Sequence, residues 1–222
     1  LKSLLMDGDG QHPPFMIRRL KTDALQGLPK KTVVPYQVEM PPAQAQAYKD
    51  VVVRAAAASA SGTLGKGGML TFLAAMRGVS LHPQDPREAV GDLATYGSES
   101  ARVVSALKVI DAAKAKSEKV LVFVEDLAMQ DRFATLLQAR YGLKRRPMQI
   151  NGGVPGLNRQ KMVDLFQAEA GSFDVMILSP KAGGVGLTIT AANHVIHLSR
   201  WWNPAVEDQA TDRVYRIGQT KD

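Results

Sequence analysis

Four short runs of nearly unbroken apolar residues dominate the second half of this chain: Lys119-Val120-Leu121-Val122-Phe123-Val124, Met148-Gln149-Ile150, Asp174-Val175-Met176-Ile177-Leu178 and His194-Val195-Ile196-His197-Leu198. A strand with one face in water alternates apolar and polar residues, whereas a strand apolar at almost every position needs cover on both faces. Helical patterns fall between the runs. Ser98 to about Lys116 is expected to bury Val103, Val104, Leu107 and Ile110, Leu127 to Arg140 follows a capping Asp126, and a third helix runs from about Pro155 to Ala168. Leu187 to Ala191 reads as a small helical turn. Alternating strand and helix with buried strands predicts an α/β fold, a parallel sheet with helices on both faces.

Sheets of this kind bind ligands beyond the carboxyl ends of their strands. Four segments leave those ends: Glu125-Asp126, Asn151-Gly152-Gly153, Ser179 to Gly186 and Ser199 to Asn203. They should line one edge. In Ser179-Pro180-Lys181-Ala182-Gly183-Gly184-Val185-Gly186 the glycines let backbone N–H groups approach an anion, and Ser179 and Lys181 add a hydroxyl and a charge. This is not a dinucleotide fingerprint, because Ile189 stands where a third glycine is required and no long helix follows. Taken alone, the loop is equally a tight connection that needs glycine for steric reasons.

The chain closes on a well-punctuated helix. Asn203 is a good N-cap, Pro204 suits the first helical position and Gly218 the left-handed C-cap, so the helix is expected from about Pro204 to Ile217. Gln209, Arg213 and Arg216 share one stripe, and Val206, Ala210, Val214 and Ile217 form an apolar stripe beside it. Two guanidiniums on an anchored helix suit phosphate. On their own they fit a solvated basic face better.

The first half is different. Leu1 is not Met, and Leu1 to Pro14 has turn residues without a period, like the middle of something longer. A basic helical stretch, Phe15 to Leu25, stops at Leu28-Pro29, and Thr32 to Met40 reads as an edge strand or a link because of Pro35. Pro42 to Ala60 and about Met69 to Val79 are helices, the second ending near His82-Pro83; Pro83 to Gly97 reads as a polar loop. Gly65-Lys66-Gly67 is a turn and not a phosphate loop, since the spacing from Gly62 is short and no Ser or Thr follows Lys66.

Composition narrows the partner. The 28 Lys and Arg against 21 Asp and Glu give +7, which favours a polyanion. A membrane surface is the rival, but the chain has no long apolar span or signal-peptide pattern, and it reads as soluble and cytoplasmic. With no Cys there is no disulfide, thiolate metal site or Cys nucleophile, and His194 and His197 fall on opposite strand faces, so no metal site is expected.

Taken in order, Lys119 to Asp126, Gln149 to Gly153 with Arg159 and Phe166, Ile177 to Leu187, Trp202-Asn203-Pro204 and Gln209 to Gln219 resemble the second, C-terminal RecA-like lobe of Swi/Snf-family helicase-like, DNA-translocating ATPases. Ile17 to Lys21 with Leu28-Pro29-Lys30-Lys31 resembles the connector between the family's lobes, and Leu73 to Pro83 its helix ending in His-Pro. The Arg200-Trp201-Trp202-Asn203-Pro204 form is most similar to microbial members. The resemblance implies three parts: a connector over residues 1–40, a mainly helical family-specific protrusion over 41–97, and a RecA-like lobe over 98–222.

It also implies roles. Arg213 and Arg216 match the arginine fingers that reach ATP held, with Mg2+, by the first lobe, and Gln209, Gly184 and Gly186 lie on the nucleotide side. Gly152, Arg159, Ser179, Lys181 and Trp202 match positions near DNA, while Trp201 matches a core position. The implied partners are double-stranded DNA, the N-terminal ATPase lobe of the same protein and a DNA-bound protein target, in a nucleoid-associated setting. Asn151 in place of Asp, Pro180 in the glycine loop and Tyr215 in place of His depart from the family pattern. The phosphate loop and Asp-Glu motif of the first lobe are absent from these 222 residues, so this stretch alone is not expected to hydrolyse ATP. A strand-separating helicase lobe and a non-catalytic basic binding module are the alternatives.

Overall fold

A computed structural model describes residues 31–63, 65, 67–168, 171–181 and 187–212. Its centre is a sheet of β1 (Lys119–Phe123), β2 (Met148–Ile150), β3 (Asp174–Leu178) and β4 (Ala192–His197), in the order β2-β3-β1-β4 with every pairing parallel. All five residues of β1 are buried, as its unbroken apolar run requires. Ile150 lies level with Leu178, and Phe123 with both Leu178 and His197, so all four strands end at one edge.

The period-two pleat divides the core. Val120, Val122 and Val124 face Val103, Leu107 and Ile110 of α4 (Ala101–Ala115) and Met129, Phe133 and Leu137 of α5 (Leu127–Tyr141). Leu121 and Phe123 face the other way, onto Val163 and Phe166 of α6 (Gly156–Ala168) and Ala210 of α7 (Pro204–Thr211). Both halves are close-packed, and truncating Phe133 or Phe166 to Ala would cost about 3–5 kcal/mol. Local chemistry starts two helices where expected, Asp126 accepting from the Met129 N–H and Asn203 from Ala205; the helix expected from Ser98 starts instead at Ala101, where Ser100 accepts from the Val103 N–H. Gly142, at φ +60°, ends α5 with its N–H on the Gln138 carbonyl.

Ahead of the sheet, α1 (Pro42–Ala60) and α2 (Gly68–Leu81) form a helical hairpin, followed by the short α3 (Leu93–Ser98). No residue of α2 is fully buried, and α1 buries only Gln44 and Val51. Polar contacts close this hairpin and attach it to the sheet region. Gln44 Nε2 donates to the carbonyls of Val79 (2.8 Å) and Ser80 (3.2 Å), and its Oε1 accepts from the Ala101 N–H (2.9 Å). His82 lies flat on Tyr96, ring centroids 3.6 Å apart, with Nε2 at the Tyr96 carbonyl.

Of the two readings of Thr32 to Met40, the link holds: residues 31–40 pair with no strand, leaving Val33, Val34, Tyr36 and Val38 exposed, and Pro35 removes one donor from any ladder there. Two local expectations change. The expected loop from Pro83 to Gly97 contains the start of α3, nucleated by Asp92, whose carboxylate accepts from the Ala94 and Thr95 N–H groups. Leu187 to Ala191 makes only a turn at its end, because Leu187 and Ile189 are drawn into the core. The basic helix expected at Phe15 to Leu25 lies outside the described residues. Among the described residues no helix is long and apolar enough to cross a membrane.

Candidate functional site

The strand ends are knitted together by side chains. Gln130 of α5, wholly buried, donates through Nε2 to the Val124 carbonyl (2.7 Å) at the exit of β1, and its Oε1 accepts from Asn151 Nδ2 (3.3 Å) at the exit of β2. Asn151 Oδ1 in turn accepts from the Gly153 N–H (3.0 Å). This explains Asn at 151: it supplies one donor and one acceptor, whereas an ionised Asp would set a second acceptor against Gln130 Oε1. The Glu125 N–H donates to Ser199 Oγ (2.9 Å), joining the exits of β1 and β4.

Arg159, at the start of α6, points back into its own loop. Nε donates to the Val154 carbonyl (2.6 Å) and Nη2 lies 3.5 Å from the Gly152 carbonyl. Gly152 is exposed, and no atom lies within 4 Å of where a Cβ would stand. Arg159 therefore organises the Gly152–Val154 turn, whatever else it touches.

Ser179 is nearly buried at the end of β3, its N–H on the Ile150 carbonyl (2.9 Å). Lys181 is exposed, with Nζ 5.2 Å from the centre of the Trp201 ring. Trp201 is half-buried, so it is less of a core residue than expected. Trp202 stands out of the surface at 69% exposure, and the Arg77 guanidinium lies 5.1 Å over its ring. The edge thus carries the exposed cations Lys181 and Arg200 and an exposed indole, a mixture chemically suited to a phosphate backbone and a groove.

Glu207, in the first turn of α7, holds this loop from below. It accepts from Arg200 Nε (2.9 Å) and from the Trp201 N–H (2.7 Å). Burial works against its charge, but the Trp201 N–H and the Arg200 guanidinium outweigh burial and hold its carboxyl below the usual range. At the top of β4, His197 stacks on Phe123 and its Nε2 sits 2.9 Å from Thr211 Oγ1, tying strand to helix. Burial pulls the His197 imidazole below its ordinary value.

The described helix, α7, ends at Thr211, and Val214 and Ile217 of the expected apolar stripe lie outside the described residues. Ala210 is buried and Val206 half-buried, whereas Gln209 is exposed. Gly184, Gly186, Arg213 and Arg216 lie outside the described residues. Among the described residues no group of three or more His, Asp or Glu is arranged to hold a metal ion.

The helicase conserved C-terminal domain matches residues 101–218, more than half of the chain. The chain belongs to that family. Within it, the chain is a Swi/Snf-type C-terminal lobe with the RecA-like α/β fold. It is similar to YwqA of Bacillus subtilis, provisionally named an ATP-dependent helicase/translocase: 36% identity over 216 residues, covering 94% of this chain and 22% of that protein. It is also similar to the solved Sulfolobus solfataricus SWI2/SNF2 ATPase core in complex with dsDNA, with 29% identity and a TM-score of 0.66, covering 82% of this chain and 37% of that one. The C-terminal part of the Fun30 ATPase domain has the same fold, with a TM-score of 0.70 at 21% identity over 89% of this chain and 84% of that one. The chain spans about a fifth of the length of the curated relatives it matches.

Reading the sequence of this Swi/Snf-type lobe brought Trp202, Lys181, Ser179 and Gly152 to the sheet edge but missed Arg77, Gln130 and Glu207. Gln130 and Glu207 sit on helices whose polar residues look solvated in one dimension. Arg77 did carry a signal, as the single charged residue of α2.

Proposed function

We propose that this lobe is the C-terminal half of the motor of an ATP-dependent double-stranded DNA translocase, and that it hydrolyses ATP only with an N-terminal lobe that holds ATP and Mg2+. The observation that carries this reading is the outward-standing Trp202, with Lys181 and Arg200 exposed on the same carboxyl edge of the sheet, on the loop from which α7 departs. Phosphate contacts from cations and an aromatic at a groove fit a duplex track. The dsDNA complex of the similar Sulfolobus core supports the same choice of ligand.

In this reading Gly152, Arg159, Ser179, Lys181 and Trp202 form part of the DNA track, and Gln209, Gly184 and Gly186 face the nucleotide. Arg213 and Arg216, four and seven positions after Gln209 in the sequence, act as arginine fingers when the lobes close. Residues 1–40 connect the lobes, 41–97 form a helical protrusion and 98–222 the lobe proper, and the motor acts on a protein bound to DNA. In the full-length protein, Arg213→Ala or Arg216→Ala should lower DNA-stimulated ATP turnover by at least about 10³-fold while changing duplex affinity little. Normal turnover in either variant removes the finger role. Strand separation without duplex translocation would point to a helicase lobe, and duplex binding indifferent to ATP to a simple binding module.

A further inference from the structure

α2 is an unusual helix to find docked on a sheet domain. It buries no residue fully, and its only charge, Arg77, lies near its far end. That charge is spent on the sheet edge. Arg77 Nη2 donates to Glu125 Oε2 (2.9 Å), at the exit of β1, and to the Arg200 carbonyl (2.8 Å), two residues before Trp202. The same guanidinium lies over the Trp202 ring. A second arginine reinforces the joint: Arg102 of α4 donates to the Leu198 carbonyl (3.1 Å) and to Ser80 Oγ of α2 (2.8 Å). The exits of β1 and β4 and the end of α2 are thereby joined, with Trp202 projecting from the join.

We infer that Arg77 is a positioning residue: it fixes Trp202 against the helical hairpin in the orientation that meets duplex DNA. The inference rests on the reading of this edge as the DNA track. Three properties of the guanidinium matter. It is flat enough to lie on an indole, its donors are spread widely enough to reach two acceptors, and it stays charged. Lysine shares only the charge. A direct phosphate contact would need the charge alone, whereas positioning needs the shape, and the two are separable by experiment.

The test is a double-mutant cycle in the full-length protein, with duplex-stimulated ATP turnover measured against duplex concentration for the parent, Arg77→Lys, Arg77→Ala, Trp202→Ala and Arg77→Ala/Trp202→Ala. The expected result is a rise of about fivefold in the KM for duplex in both Arg77 variants, as for loss of one cation–π contact, with kcat at saturating duplex within about twofold of the parent. In the Trp202→Ala background, Arg77→Ala should add less than about twofold, because the group it positions is gone. A normal Arg77→Lys beside a weakened Arg77→Ala whose salt dependence falls by about one unit would make Arg77 a phosphate contact and overturn the inference. So would multiplicative effects of the two Ala substitutions. If Trp202→Ala is itself without effect, the track reading fails and the inference falls with it; if Trp202→Ala is weakened but both Arg77 variants are normal, the track stands and only the inference falls. Arg77→Lys keeps the charge, and its unfolding midpoint beside the parent's separates a KM effect from loss of fold.

Discussion

Replacing Gln44 by Leu removes three hydrogen bonds without opening a cavity, two of them between α1 and α2 and the third the joint from the hairpin to α4. Gln44 is wholly buried; it gives its two N–H to the Val79 and Ser80 carbonyls and accepts the Ala101 N–H. The Ala101 amide suffers most, because it lies in the first turn of α4 and its bond to Gln44 is buried; leaving it unpaired costs about 2 kcal/mol. The two carbonyls are half-open to water, and losing their donor costs about 1 kcal/mol together. Burying a Leu in place of an amide returns about 1 kcal/mol. The balance is a loss of about 2 kcal/mol. Hydrogen exchange followed on peptides spanning residues 95–107 should then show the start of α4 exchanging about thirtyfold faster where opening of this joint controls exchange. Unchanged protection at Ala101, with an unfolding free energy within about 0.5 kcal/mol of the parent, would refute the view that this glutamine joins the two parts.

Other perturbations test the sheet edge and its supports. Glu207→Leu leaves the Trp201 N–H and the Arg200 guanidinium without their acceptor and should lower stability by about 2 kcal/mol, while Glu207→Gln, which can still accept from Trp201, should lose about half as much; denaturant unfolding of the two variants measures the difference. Lys181→Ala should weaken duplex binding and reduce the slope of log affinity against log salt by about one unit, read from titrations at several salt concentrations. Burial holds the His82 and His197 imidazoles below their ordinary value in the folded chain. The unfolded chain therefore binds more protons than the folded one below about pH 6.5, and stability falls as pH drops through that value. The unfolding midpoint should be lower at pH 5 than at pH 7, and His197→Asn should shrink the difference.

The architecture was legible because it rests on burial, and burial leaves a one-dimensional trace. The apolar run of β1 required cover on both faces, and the faces divide at alternate residues, with Val120 and Val122 toward α4 and α5 and Leu121 and Phe123 toward α6 and α7. Caps were legible for the same reason: Asn203 and Asp126 act on donors two or three residues away. What stayed hidden was long-range and polar. Arg77 meets Arg200 across 123 positions and Gln44 meets Ala101 across 57, and no local pattern encodes such pairs. Leu187 to Ala191 reads as a small helical turn, but Leu187 and Ile189 both enter the core, which two residues that close in sequence could not do from one helix face.

Chemistry-bearing residues at the sheet edge therefore divide by what their polar atoms already do. Arg159 spends its Nε on Val154, Glu207 both its contacts on Arg200 and Trp201, and Asn151 its amide on Gln130 and Gly153. Each of these shapes a loop, and mutating any of them would weaken a ligand's binding through the loop even if it never touched the ligand. Lys181 and Trp202 face outward from loops that the others have fixed. A substitution at Lys181 should thus change affinity and salt dependence together, while one at Asn151 or Glu207 should change stability first and affinity only as a consequence. That ordering follows from the hydrogen bonds alone, and it separates the side chains proposed to meet duplex DNA from those that hold them in place.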